Sequence, residues 1–248
     1  IWLTNRSRSV IVPFHLFLIG CDIIPFPFLL YFTIAFLLMQ CNNLLFFVNS
    51  ELKRGFSSMK DSILVQFLRK PLTTGAICPS SHELSRTLTE CIHIDEALNI
   101  AELGPGTGAI TEAILKAMNP HANFFAVELN DAVIPAFKRR FPKVKLYNDS
   151  AANLKQIMQK ESIRKVDVIL SGLPWASFPD HLQEEILAAI LEALPDGGYF
   201  TTFAYLQGTW LPTGIKFKHR LEKYFSHVEK SKIVWCNIPP AFAYRCRK

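Results

Sequence analysis

A glycine-rich turn between a short apolar strand and a helical segment constrains this chain more than any other feature. The motif Glu102-Leu-Gly-Pro-Gly-Thr-Gly108 follows a predicted strand at residues 97–101, and a helical pattern over residues 109–117 begins directly after it. The three glycines permit positive φ and let a ligand approach the backbone closely. Strand, glycine turn and helix N-terminus in this order are typical of a nucleotide-type site in an α/β sheet.

The spacing and charge of the motif narrow the class of ligand. G-x-G-x-G differs from the G-x-G-x-x-G of dinucleotide sites, and no Lys-Ser/Thr pair follows, as a phosphate loop requires. Glu102 precedes the first glycine, which disfavours a phosphate and favours a cation. Glu128 ends the next predicted strand, residues 123–127, where it can accept hydrogen bonds from ribose hydroxyls. S-adenosyl-L-methionine carries an ammonium and a sulfonium and no phosphate, so these residues predict that cofactor and a methyltransferase.

Composition limits the partners. The formal net charge of +6 over 248 residues is a mild excess, which does not demand a large nucleic-acid footprint and suits an anionic membrane surface at least as well. The six cysteines form no C-x-x-C pair and no Cys/His cluster with zinc spacing. We therefore expect reduced thiols in a cytoplasmic setting, no bound metal and a monomeric protein.

Residues 1–58 form a hydrophobic N-terminal extension that precedes the predicted domain at residues 59–248. Residues 10–48 contain one charge, Asp22, but prolines interrupt them and leave residues 28–39 as the longest clean apolar run. A transmembrane helix needs about 20 apolar residues. A membrane hairpin, a signal-type sequence, an interfacial anchor and non-native upstream sequence all stay open for this extension.

The domain opens with a predicted helix over residues 59–70 that ends before Pro71. The helix is basic and amphipathic, so it suits either a membrane interface or packing against its own domain. A loop at residues 75–81 follows, in which Ser80 or Ser81 is expected to cap the next helix.

The remaining pattern predicts a doubly wound, mostly parallel, Rossmann-like sheet of seven strands that ends in an antiparallel hairpin. Further strands are expected at residues 144–147, 166–170 and 199–205, with the hairpin at 230–236 and 241–246. Helices are expected at residues 83–91, 109–117, 131–141, 151–160, 181–194 and 215–225.

Two polar positions at the ends of later strands extend the predicted site. Asp149 follows the third strand, where it is placed either to accept a hydrogen bond from an adenine amino group or to form a plain turn. Ser171 begins the turn Ser171-Gly-Leu-Pro-Trp175 after the fourth strand, at the edge where open α/β sheets bind their ligands. We include both in the cofactor site.

From residue 59 onward the chain resembles the bacterial phospholipid N-methyltransferases. The resemblance rests on five segments: Phe67-Leu-Arg-Lys-Pro71, Gly75-Ala-Ile-Cys-Pro-Ser-Ser81, Glu102-Leu-Gly-Pro-Gly-Thr-Gly108, Ser171-Gly-Leu-Pro-Trp175 and Trp235-Cys-Asn-Ile-Pro-Pro-Ala241. It implies a class I S-adenosylmethionine enzyme that converts phosphatidylethanolamine toward phosphatidylcholine and associates peripherally with the membrane. It also implies cofactor contacts from Glu102, Gly104, Gly106, Gly108, Glu128 and Asp149.

The ribosomal RNA adenine dimethylases look similar through the glycine motif, Glu128 and the Leu-Pro-aromatic turn. Those enzymes carry an Asn before Leu-Pro, whose amide holds the target adenine. The corresponding residue here is Gly172, which has no side chain to supply that hydrogen bond. This difference disfavours a nucleic-acid substrate. A methyltransferase-fold membrane scaffold without activity is a third interpretation, although it has no need for the intact glycines and acids.

A lipid amine must attack as the free base, which directs attention to residues near the Pro-Trp turn. His181 is a candidate general base, with a solvated helix-start histidine as the alternative. Trp175 is the aromatic residue best placed to bind a quaternary ammonium product through its ring face. Tyr205, Trp210 and Trp235 are weaker candidates for the same role, with core packing as the alternative.

Overall fold

The computed structural model describes residues 81–248. The N-terminal extension, the boundary at residue 59, the helix expected at residues 59–70 and the loop up to residue 80 lie outside the described residues. Strands span Asn99–Leu103 (β1), Asn123–Glu128 (β2), Lys145–Asn148 (β3), Val168–Ser171 (β4), Tyr199–Tyr205 (β5), His227–Lys230 (β6) and Ala241–Arg247 (β7). Helices span His82–Thr89 (α1), Ala109–Ala117 (α2), Ile134–Arg140 (α3), Leu154–Lys160 (α4), Asp180–Ala193 (α5) and Pro212–Tyr224 (α6).

The strands form one seven-stranded sheet in the order β3-β2-β1-β4-β5-β7-β6. The first five are mutually parallel, and β7 runs antiparallel to both of its neighbours. This arrangement confirms the predicted doubly wound sheet with an antiparallel end.

Each face of the sheet carries its own apolar core, because alternate residues of a strand point to opposite faces. On β1, Ala101 and Leu103 join the core formed with α4, α5 and α6, whereas Ile100 joins the core formed with α1 and α2. Glu102 therefore lies on the same face as Ile100, toward α2. Helices cover both faces, which explains why the parallel strands are apolar on both sides.

The carboxyl ends of β1 to β5 lie on one edge of the sheet, called here the carboxyl edge. The glycine turn follows β1, Glu128 ends β2, Asp149 follows β3 and Ser171 ends β4. Parallel pairing aligns these positions, since Leu103 is opposite both Val127 of β2 and Ser171. Residues predicted separately from the sequence thus meet at one edge.

The prediction of a strand at residues 230–236 is wrong. The strand ends at Lys230, and beyond it only an isolated bridge between Val234 and Ala241 pairs with β7. At Ser231 the hydroxyl oxygen, rather than a backbone carbonyl, accepts the hydrogen bond from the Ala243 N–H at 2.9 Å. The side chain therefore replaces the next backbone acceptor of the ladder, and the chain leaves the sheet.

The helix predicted at residues 131–141 begins later than expected, at Ile134 with Pro135 in its first turn. The Asn130 side chain accepts a hydrogen bond from the Ala132 N–H at 3.1 Å, which stabilises a turn before the helix. Ser81 caps α1 as expected, because its hydroxyl accepts a hydrogen bond from the Leu84 N–H at 3.2 Å.

Within residues 81–248, no helix combines the length and the apolar character that crossing a bilayer requires.

Candidate active site

The glycine turn is packed at both ends and open in the middle. Gly104, Gly106 and Gly108 all have positive φ, at +73°, +56° and +88°. A Cβ added at Gly104 would lie 2.7 Å from the Leu173 side chain, and one at Gly108 would lie 2.1 Å from the Phe141 ring. A Cβ at Gly106 would meet no atom of residues 81–248 within 4 Å. The space beside Gly106 is therefore where a ligand can approach the backbone.

Glu102 is a fully buried acid with one oxygen in use. Its Oε2 accepts a hydrogen bond from the Thr111 hydroxyl at 2.6 Å, whereas Oε1 has no hydrogen-bond partner among the described residues. Burial raises the pKa of Glu102 to about 8, the Thr111 hydrogen bond opposes that rise, and nearby Glu128 adds to it. Burial therefore favours the neutral acid, and a bound cation would favour the carboxylate.

Glu128 accepts a hydrogen bond from the backbone of the glycine turn. Its Oε2 accepts a hydrogen bond from the Gly106 N–H at 3.0 Å, and its Oε1 accepts one from the Asn130 N–H at 2.8 Å. Burial raises the pKa of Glu128, although these backbone hydrogen bonds oppose the rise. A carboxylate can accept about four hydrogen bonds, so capacity is left for the ribose hydroxyls expected from the sequence.

Asp149 lies next to Glu128 at the carboxyl edge. Its backbone N–H donates to the Glu128 carbonyl at 3.2 Å. Its Oδ1 accepts hydrogen bonds from the Ser150 N–H and the Asn153 side-chain amide, both at 2.7 Å. The carboxylate is thus oriented by its own turn, and its contact with an adenine amino group stays a prediction.

Ser171 is fully buried and organises the turn that it begins. Its hydroxyl oxygen accepts hydrogen bonds from the Trp175 indole N–H at 3.0 Å and from the Leu173 N–H at 3.3 Å. The neighbouring Gly172 N–H donates to the Leu103 carbonyl at 2.9 Å. This arrangement joins β4 to the glycine turn and leaves the Ser171 hydroxyl facing the interior, which differs from the expected cofactor contact.

Trp175 is a core residue, and this corrects the expectation that its ring face binds a quaternary ammonium. The side chain is 2% exposed. Its ring stacks on Phe217 of α6, with centroids 5.0 Å apart, and meets Phe178 and Phe200 edge-on. Because aromatic neighbours surround the indole, a ligand cannot reach its face without opening this cluster.

His181 is exposed in the first turn of α5, shortly after the Ser171–Trp175 turn. Its role as a general base stays a prediction. The other aromatic candidates do not share the environment of Trp175, since Trp210 and Trp235 are exposed.

Two buried polar residues of the site escaped the sequence analysis. Thr111 holds Glu102 from the first turn of α2, and Gln183 of α5 donates from its amide to the carbonyls of Trp175 and Phe178 at 2.8 and 3.0 Å. Thr111 comes three residues after Gly108 on an otherwise apolar helix face, which is a usable sequence signal. Gln183 carries no such signal, because only the helix packing brings it under the turn.

Comparison with solved structures identifies the fold. The O-methyltransferase TomG from Streptomyces achromogenes, in complex with S-adenosylmethionine, is 11% identical with a TM-score of 0.51, covering 66% of this chain and 79% of that chain. The precorrin-6y C5,15-methyltransferase from Geobacter metallireducens is 17% identical with a TM-score of 0.50, covering 67% of this chain and 89% of that chain. Both similarities show the Rossmann-like fold of class I methyltransferases.

Sequence comparison finds a methyltransferase family model and a relative that is covered over nearly its whole length. The family described as a methyltransferase domain matches residues 100–198, the part that contains the glycine turn and both buried acids. Motif and family match together identify an S-adenosylmethionine-dependent methyltransferase, and its fold is that of class I methyltransferases. It is similar to the ornithine lipid N-methyltransferase of Singulisphaera acidiphila, with 29% identity over 194 residues, covering 76% of this chain and 97% of the relative.

Proposed function

We propose that this methyltransferase methylates the primary amine of a membrane lipid head group, converting phosphatidylethanolamine toward phosphatidylcholine. The observation that carries the cofactor part is Oε1 of buried Glu102, which has no hydrogen-bond partner within residues 81–248. Glu102 lies on the strand that leads into the glycine turn, and within the same residues that turn is open at Gly106. A buried acid with one free oxygen among the described residues suits a cationic ligand without phosphate, because a cation replaces the lost hydration of the carboxylate.

The chain offers a consistent set of residues to hold S-adenosylmethionine. Glu102 would face its positive charge, and the backbone at Gly106 would admit its close approach. Glu128 and Asp149 would supply acceptors for its hydroxyl and amino groups. When bound, the cofactor supplies an electrophilic methyl group on a positively charged sulfur. The protein's contribution is to orient the amine toward that group and to exclude water.

The amine must lose its proton before it can attack. An alkylammonium has a pKa of about 10 in water, as lysine has. Entry into an apolar crevice lowers that pKa by desolvation. His181, on the helix that follows the Ser171–Trp175 turn, is the residue that we propose to accept the proton.

The lipid class is supported by the relative, which is named for ornithine lipid. Ornithine lipid and phosphatidylethanolamine share a primary alkylamine on an acylated anchor, so one site chemistry suits both. The mild positive charge of the chain suits the anionic surface in which either lipid resides. We propose peripheral association with that surface.

An adenine substrate fits the turn after β4 poorly. A Cβ added at Gly172 would lie 2.5 Å from the Gly104 carbonyl oxygen, so an asparagine at this position would displace the glycine turn. The amide that holds adenine in the similar RNA enzymes therefore has no room here.

A labelling comparison tests the proposal. The full-length chain is incubated with methyl-labelled cofactor and with vesicles of phosphatidylethanolamine, vesicles containing ornithine lipid, or ribosomal RNA. We expect label in extracted lipid and none in RNA. Label only in RNA would contradict the lipid assignment, whereas cofactor binding without label in any substrate would favour an inactive scaffold.

A further inference from the structure

Most of the exposed large apolar side chains of the described residues lie on one edge of the sheet. Four of them are Trp210 (68% exposed), Ile215 (44%), Trp235 (57%) and Ile238 (62%), named here the edge patch. Trp210 and Ile215 follow β5, and Trp235 and Ile238 precede β7. Isolated exposed apolar residues are normal, but such a group marks an interaction surface.

The two segments of the edge patch are joined at the carboxyl edge. Tyr205, the last residue of β5, is paired with Ala241, the first residue of β7. The Leu206 N–H then donates to the Pro240 carbonyl at 2.8 Å. Because β5 is parallel to β4 and β1, the edge patch lies on the same edge of the sheet as the glycine turn.

The backbone around Trp235 and Ile238 is anchored, so their exposure is built into the loop. Asn237 between them is 4% exposed. Its side-chain oxygen accepts a hydrogen bond from the Ser81 N–H at 2.9 Å, and its amide donates to the Pro239 carbonyl at 2.7 Å. A buried asparagine flanked by outward-facing apolar residues presents those residues to the surroundings.

The segment with Trp210 and Ile215 is equally well packed. Trp210 ends the 3-10 helix Leu206–Trp210, in which the Thr209 hydroxyl donates to the Leu206 carbonyl at 2.7 Å. A Cβ added at Gly214 would lie 2.0 Å from the Gly208 carbonyl oxygen, so the start of α6 packs tightly on this helix.

Charges of both signs adjoin the edge patch: the Cys236 thiol beside Trp235 donates to the Glu83 carboxylate, and a lysine lies at one end of each segment. Residues 206–215 and 233–244 contain no charged side chain, and lysines adjoin both stretches. Lys216 directly follows residues 206–215. It is well exposed, and its Nζ lies 3.5 Å from Oδ2 of Asp180. Exposed Lys232 directly precedes residues 233–244. Tryptophan at the tip with lysine behind it is typical of residues at the membrane–water interface.

We infer that the edge patch docks this enzyme on the surface of an anionic phospholipid bilayer, with Trp210 and Trp235 inserted at head-group depth. The inference rests on the proposed lipid substrate, because a lipid amine stays in its bilayer and the carboxyl edge must come to it. The patch and the glycine turn share that edge, with β4 between β1 and β5, so docking turns the cofactor site toward the head groups.

Fluorescence quenching tests the insertion directly. The full-length chain is mixed with phosphatidylethanolamine–phosphatidylglycerol vesicles whose acyl chains are brominated near the glycerol. The chain has four tryptophans, so the test is made in a Trp2→Phe background, where Trp175 is the remaining one outside the patch and is buried. In that background the additional changes Trp210→Phe/Trp235→Phe are expected to remove more than about half of the vesicle-dependent quenching. Quenching that is unchanged in this variant would overturn the docking surface.

Vesicle sedimentation provides a matched comparison. Ile215→Ser/Ile238→Ser is expected to weaken binding roughly tenfold. Leu98→Ser is the control, because Leu98 is 65% exposed but precedes β1 on the opposite edge, and it should bind as the wild type does. Equal losses of vesicle binding in both variants, or a loss in neither, would overturn the inference. A dimer that forms through the edge patch and does not bind vesicles would also overturn it.

Charge and activity separate this inference from the proposed function. Lys216→Glu/Lys232→Glu should lose about tenfold in binding to phosphatidylglycerol-containing vesicles and little on neutral ones. The isoleucine variant should keep wild-type turnover of a short-chain, water-soluble phosphatidylethanolamine while losing turnover of vesicles. Full vesicle activity in that variant would refute docking alone. A wild type that binds vesicles through the patch but methylates neither lipid would refute the substrate alone.

Discussion

The two halves of the sheet differ in which side chains they bury and which they expose at the carboxyl edge. In the half formed by β1 to β4, the carboxyl edge buries acids: Glu102 is fully enclosed and Glu128 nearly so. In the half formed by β5 to β7, the same edge exposes apolar side chains such as Trp210 and Ile238. The first half buries carboxyl groups, and the second exposes apolar side chains to solvent.

Both arrangements are unfavourable for the isolated fold, and this is what the comparison teaches. Burying a carboxyl without full hydrogen bonding costs free energy, and so does exposing a cluster of apolar surface. Deviations of this kind concentrate at functional positions. The first half is suited to a small cation and the second to a lipid surface, and the chemistry lies where the two meet.

The largest expected effect comes from Gly106→Val, which would close the opening in the first half. We expect the dissociation constant for S-adenosylmethionine to rise on the order of 100-fold, because side-chain atoms would occupy the ligand's approach to the backbone. Calorimetric titration measures it. Gly197→Val is the control, since Gly197 also has positive φ (+80°) but lies in the turn before β5 on the opposite edge. Unchanged affinity in Gly106→Val would refute the cofactor site.

Glu102→Gln sharpens the assignment of the buried acid. The variant keeps size and hydrogen bonding to Thr111 but cannot become anionic, so the affinity for the cationic cofactor should fall roughly 10- to 100-fold. The exposed Glu192 of α5 provides the control substitution Glu192→Gln, which should leave the affinity unchanged. An affinity equal to wild type in Glu102→Gln would show that the cation is held elsewhere.

The same residue predicts a pH dependence of the cofactor-free protein. The folded pKa of about 8 exceeds the ordinary value of 4.5, so the folded state holds a proton that the unfolded state has released. The stability from this proton is complete below pH 4.5 and is lost as the pH rises through 8, with a slope of up to about 1.4 kcal/mol per pH unit. Denaturant unfolding at several pH values should show this component in the wild type and lack it in Glu102→Gln. Parallel curves for the two proteins would contradict it.

The smallest effect is expected from Trp175→Phe, at the junction of the two halves. Losing the indole hydrogen bond to Ser171 and part of the stacking on Phe217 should lower the free energy of unfolding by about 1–2 kcal/mol. Thermal denaturation measures this loss. The affinity for the cofactor and the KM for the lipid amine should change little, because the ring is enclosed. A large rise in KM with unchanged stability would restore Trp175 to the substrate site.

The sequence analysis was most accurate in the first half. The strands along the chain, the glycine turn and the placement of Glu102 and Glu128 at strand ends were predicted, because each depends on local patterns within a few residues. Errors lie where a long-range contact decides the outcome. The strand predicted through residue 236 fails because Ser231 offers its side chain to Ala243, and Trp175 loses its expected role because Phe217 arrives from a helix about 40 residues away.

The sequence by itself determined the class of fold and predicted the cofactor, since apolar periodicity, glycine spacing and an acid near the end of each of two adjacent strands are local properties of the chain. Only the tertiary structure decided which of those polar groups are used. It shows Glu102 with one oxygen engaged and one without a partner among the described residues, turns Ser171 inward, and brings Trp210 and Trp235 onto one edge. Burial and hydrogen-bond partners depend on side chains from distant segments, and no local pattern specifies where those segments meet.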